Sequence, residues 1–161
     1  DLIMTTTAAS LVPAGQFKAD KVWGSVWNDM ADFQDLNDEL VPGKCYIETR
    51  EGAQICNERC QMAVIGLATD TFGFALGSDP NKKQVPIAIG GWVLAYVDQE
   101  YPTGTPLTND AYGFLTEMNL EEKRNFPERL VATYKKPERN PNFGPKDHQI
   151  SVNGRHWVKV K

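Results

Sequence analysis

The chain has 161 residues, 41% of them hydrophobic and 24% charged, with a formal charge of −4. That size suits one domain able to bury roughly two-thirds of its unfolded surface, so neither metal nor disulfide is needed to hold it together. The net negative charge excludes a global basic field for nucleic acid or anionic lipid, and no apolar run is long enough to span a bilayer.

Residues 1–18 read as an extended arm, because the threonines, Pro13 and Gly15 work against a helix. The arm opens polar and Thr-rich without a basic start, unlike a signal peptide. Residues 19–161 form the expected domain. Val22, Gly24 and Val26 alternate with Trp23, Ser25 and Trp27, which predicts a strand with both tryptophans on one face. An acidic stretch follows from Asn28 to Leu40, and Pro42-Gly43 turns the chain.

Short strands are expected over Lys44–Thr49, Ala53–Cys56, Met62–Thr69, Thr71–Leu76, Val85–Ile89, Trp92–Val97, Gly113–Thr116 and Leu130–Tyr134. Gly90-Gly91 marks a bulge or sharp bend. Asn119 can cap a helix over Leu120–Asn125, with Glu122 as its capping-box partner and Pro127 as its stop. Lys135–Asp147 reads as a long loop. Asn153-Gly154 predicts a type I′ hairpin between Ile150–Val152 and Arg155–Val160. Together these elements predict a mainly β single domain, a distorted sandwich or barrel of short antiparallel strands with one or two short helices.

The three cysteines, Cys45, Cys56 and Cys60, are an odd set, which argues against a closed disulfide framework. Two thiols four apart with no nearby histidine do not make a zinc site, so these residues are expected as small packed hydrophobes and no metal is expected.

The acidic segment is the first candidate for chemistry. If it stays extended, Asn28, Asp32 and Gln34 share one face and Asp29 the other; if helical, Asp29 and Asp32 sit one turn apart. A carboxyl beside large apolar rings has a raised pKa and can act as a general acid or base, while the plainer reading is a solvated acidic turn. Arg155 beside Trp157 can hold an anionic ring system such as a nucleotide, or can simply be a long side chain covering an indole. No nucleophile motif accompanies His148 and His156, and neither glycine pair has the spacing or the lysine of a phosphate loop.

Three blocks carry a family resemblance: Phe17–Phe33 with Trp23, Trp27 and the acidic run; Ile87–Val97 followed by Thr103–Thr108; and Asn153–Val160. Together they resemble the C-terminal autoproteolytic intramolecular chaperone domain of phage tailspikes and neck appendages, the glutamic-type self-cleaving peptidases that include the pre-neck appendage type of small Bacillus podophages. The resemblance implies a homotrimer in the host cytoplasm during virion assembly. It also implies an upstream β-helical spike region whose register the domain sets, a cut between a serine and Asp1, and release linked to ATP. Asp29 and Asp32 would serve as acid and base, Asn28 or Gln34 as oxyanion donors, and Asp1 as an assisting carboxyl. Met30 stands where the family carries an aromatic, usually tyrosine. Arg155 and Trp157 are the residues offered for the nucleotide. A receptor- or glycan-binding tip of a phage spike and a purely structural β-domain are the competing functions.

Overall fold

The computed structural model describes residues 19–161, so the expected arm and Asp1 lie outside the described residues. Strands take 41% of the chain and helix 6%, which makes it a mainly β, single sheet-rich domain without a closed barrel. The strands run β1 (Asp29–Asp35), β2 (Cys45–Ile47), β3 (Gln54–Ile55), β4 (Val64–Leu67), β5 (Phe72–Leu76) and β6 (Gln84–Ala95). The second half holds β7 (Pro106–Asn109), β8 (Leu115–Glu117), α1 (Leu120–Asn125), β9 (Ala132–Pro137), β10 (Asn142–Phe143), β11 (Ile150–Ser151) and β12 (His156–Val160).

Seven strands form one sheet in the order β5-β1-β6-β12-β9-β7-β8. β6 is its spine: the first half pairs with β1, the second with β12. Two strands were expected there, flanking Gly90-Gly91. One bent strand forms instead, because the register shift opposite Met30 and Ala31 lets β6 pass through the glycine pair without stopping. Alternation along β6 then decides the layers. Val93 and Ala95 join Cys45, Leu67, Leu107, Leu115 and Val158 in the main core, under the small sheet β3-β2-β4. Leu94 points the other way, into a second cluster with Val152 and Trp157 roofed by Phe143 and Ile150 of the β10-β11 ribbon. All three cysteines are free and buried, packed as small hydrophobes.

The capping box forms as the sequence predicts: Asn119 Oδ1 accepts from the Glu122 amide at 2.8 Å and Glu122 Oε2 accepts from the Asn119 amide at 2.9 Å. Glu122 also pairs with Arg59 at 2.7 Å, which ties the helix to the β3–β4 connection.

Three expectations need correction. Val22–Trp27 is not a strand: Val26 has φ 76° and the Trp27 amide bonds back to the Ser25 carbonyl at 3.0 Å, a γ-turn that breaks the extended run. The tryptophans therefore part, with Trp23 85% exposed and Trp27 packed edge-on against Phe143 and His148. The Asn153-Gly154 turn forms, with both φ values positive and the Arg155 amide closing on the Val152 carbonyl at 3.1 Å. Its arms do not pair as a hairpin, because β6 and β9 already occupy both edges of β12; β11 pairs with β10 instead. Finally, the 135–147 loop is shortened at its start by β9 and interrupted by β10, and β7 begins on a proline, a strand position where a missing N–H is tolerated.

Candidate functional site

The acidic segment is extended, so of the two geometries open to it the strand is realised. Its entry into the sheet depends on Gly91. That residue has φ +108°, and a Cβ there would collide with the Asn28 carbonyl and lie 2.8 Å from Asp29 Cα. Only glycine lets β6 approach β1 so closely. The approach is consolidated by the Trp92 amide donating to the Asn28 carbonyl at 3.2 Å.

This packing buries Asp29, which is 5% exposed. The Thr71 hydroxyl donates to its Oδ1 at 2.7 Å, and the Thr69 and Thr71 hydroxyls lie 3.2 Å apart. Oδ2 is buried and has no hydrogen-bond partner among the described residues. Burial pushes the Asp29 carboxyl up from 3.8 to about 6; the threonine hydroxyls oppose the rise and the nearby Asp70 charge adds to it. A carboxyl in that range can give or take a proton near neutral pH.

Asp29 borders a groove of about 790 Å³. Asn28, Met30, Trp23 and Phe74 also line it, together with Gly24, Gly73, Gly90 and Gly91. Backbone is thus exposed along much of its surface. Met30 is half-exposed in the groove wall.

Asp32 and Gln34 are placed elsewhere. They are half-buried farther along β1, bonded to each other at 2.7 Å from Gln34 Nε2 to Asp32 Oδ2, and neither lines the groove. Asn28 and Asp29 are therefore brought together at one end of β1, and Asp32 and Gln34 toward the other. Asp1 lies outside the described residues.

Arg155 is not an open anion site. It is 2% exposed and grips Asp70 with two bonds of 2.8 and 2.9 Å, while its Nε and Nη2 donate to the Val152 and Ser151 carbonyls. The guanidinium fork is spent inside the protein. Trp157 is also buried, and its indole N–H donates to Glu138 at 2.8 Å. Yet Arg155 does bear on the site. Asp70 lies between Thr69 and Thr71, so its ion pair with the buried Arg155 anchors the β4–β5 connection that holds Asp29. Sequence reading missed this connection. Its signal was a polar Thr-Asp-Thr between two apolar runs, which reads as an ordinary turn.

A cation–aromatic arrangement of the kind expected at Arg155 and Trp157 occurs at Trp92 instead. Lys135 Nζ lies 4.0 Å and Lys159 Nζ 5.6 Å from that ring centre. β9 and β12 bring the two lysines together on the strand face beside β6.

No protein-family model matches the sequence, and no curated protein matches it. Among solved structures the chain is similar to the pre-mature bacteriophage phi29 gene product 12, at 13% identity and a TM-score of 0.60. The match covers 91% of this chain and 23% of that one, so the chain spans about a quarter of that protein's length. At this identity the likeness shows the fold: nearly the whole domain has the architecture of one part of a phage protein.

Proposed function

We propose that the chain is the self-releasing intramolecular chaperone domain of a phage tail appendage, and that it cuts the polypeptide just before Asp1. The observation that carries this reading is the buried Asp29 carboxyl in an open, glycine-lined groove, within a fold shared with a phage protein. Side-by-side β-helical spike chains have degenerate register, and a terminal homotrimer fixes their stagger by raising the local concentration of chain ends. Cutting the domain away afterwards makes assembly kinetically irreversible.

In the proposed cut, water adds to the carbonyl carbon preceding Asp1. The C–N bond breaks, and the departing α-amine takes its proton from the Asp29 carboxyl. The proton of the attacking water, or of the preceding serine's hydroxyl where that hydroxyl attacks first, passes to the Asp1 carboxyl, since Asp32 is engaged with Gln34 outside the groove. Asn28, which lines the groove with Asp29, is the proposed donor to the developing oxyanion, because Gln34 is engaged with Asp32. ATP-linked release fits the Trp92 face with Lys135 and Lys159, since Arg155 is already committed.

The test is expression together with the upstream neighbour. Two fragments should appear without added protease, and Asp29→Asn should leave the precursor whole. A precursor that stays intact while folded and trimeric refutes the reading; normal cleavage in Asp29→Asn refutes the residue roles alone.

Exposed Trp23 beside Phe74 in the groove favours a second reading, a glycan-binding spike tip, since sugars stack on such rings. Intact precursor combined with glycan-dependent quenching of tryptophan fluorescence would support it.

A further inference from the structure

We propose that the outer edge of β5 is the docking site of the chain's own residues 1–18, laid along it as an added extended strand. β5 is the end strand of the seven-stranded sheet; β1 pairs with one flank, and the other has no strand partner among the described residues. That flank is not protected in the usual ways. Phe74 and Leu76 are exposed at alternate positions of β5, and Met30, Val22 and Trp23 add further exposed apolar surface beside Phe74. Natural sheets blunt an open edge with charge, proline or a covering segment, and β5, Phe72–Leu76, carries neither charge nor proline.

The covering segment is at hand. From Leu2 to Phe17 the sequence holds no charged residue, in a chain that is 24% charged, and it supplies Leu2, Ile3, Met4, Leu11, Val12 and Phe17. It joins the described fold just before Val22 and Trp23, which line the groove. Eighteen extended residues reach roughly 60 Å, several times the five-residue edge. Backbone pairing along an open edge is how β-augmentation works, and it needs no side-chain complementarity to start. The inference stands without the self-cleavage reading, because it concerns the chain from Asp1 onward.

Hydrogen exchange on the full chain tests it. Amides within residues 1–18 and the outward-facing amides of β5 should exchange at least about tenfold more slowly than in free peptide. Phe74→Asp should release both sets while β12 stays protected. A Leu11→Asp/Val12→Asp double variant should do the same from the segment side, and it decides the matter if Phe74→Asp disturbs the fold. Free-peptide exchange throughout residues 1–18 overturns the proposal, as does segment protection indifferent to the Phe74 change. Protection of β5 that grows with protein concentration also overturns it, and would give that edge to a second copy.

Discussion

Replacing Asp29 by asparagine should make the fold more stable at pH 8. The folded carboxyl titrates near 6 against 3.8 for the unfolded chain, so between those values the folded chain holds a proton that the unfolded chain has lost. Stability therefore declines as pH rises from about 4 to about 6 and stays lowered above that. A difference of about two pKa units corresponds to ~3 kcal/mol. Asparagine keeps an oxygen for the Thr71 hydroxyl and has no charge to desolvate. Its amide N–H groups take the place of the partnerless Oδ2 and cost about 1–2 kcal/mol. The variant should thus gain roughly 1 kcal/mol at pH 8, and the gain should vanish or reverse near pH 4 where the native carboxyl is neutral. Urea titrations of both proteins across that range, with unchanged m-values, give the difference directly, and contributions from other titrating groups cancel in it. A stability difference that does not vary with pH would refute the account of Asp29 as a carboxyl held up by burial.

Removing the Arg155 side chain should be costly, because Arg155→Ala strands the half-buried Asp70 and two carbonyls; breaking a buried pair costs about 3–5 kcal/mol. In a domain of this size that lowers Tm by roughly 6–20 °C, whereas an arginine held open for a ligand would leave Tm nearly unchanged. The glycine pair should split in behaviour. Gly91→Ala meets the Asn28 backbone at positive φ and should cost about 2–4 kcal/mol, while Gly90→Ala faces open space and should stay within about 0.5 kcal/mol by the same denaturation assay. Millimolar ATP should raise Tm, and the rise should disappear in Lys135→Gln/Lys159→Gln; no shift in the native chain removes the nucleotide from the reading.

Local signals in the sequence were read well where a short-range rule governs. The Asn119 capping box, the Asn153-Gly154 turn and the Gly90-Gly91 bulge each depend on a few neighbouring residues, and each forms. What failed depended on distant partners. The Asn153-Gly154 turn lost its hairpin because β6 and β9 took both edges of β12, a fact set by residues 20 to 70 positions away. Alternation at Val22–Trp27 imitated a strand, but none of the described strands pairs with it, and a γ-turn at Val26 ends the run. In the acidic block, Asp29 could be singled out as a carboxyl near apolar rings. That Asp32 would turn to Gln34 and leave the groove could not, because strand alternation gives the face but not the partner. Arg155 showed the deepest limit. Its charge beside Trp157 suggested a ligand, yet the decisive fact is Asp70, 85 positions away.

Three departures from ordinary folding economy meet at one place. A β-branched residue, Val26, sits at φ 76°; a carboxyl is buried with one oxygen unpartnered among the described residues; and Trp23 and Phe74 are left exposed around glycines. Each is unfavourable by itself; elsewhere the thiols are buried, the α1 cap is completed and non-glycine positive φ recurs singly, at Cys60 and Ala63 and in the Asn153 turn. Had they been scattered, they would mark only a marginal fold. Their convergence where β1 enters the sheet is what a functional site looks like when local conflict is tolerated for what it makes possible. The Asp29 prediction tests that logic most sharply. If the groove exists for chemistry, relieving its central conflict should stabilise the protein and disable the cut in one substitution; if it is merely a loosely packed edge, the two effects have no reason to travel together.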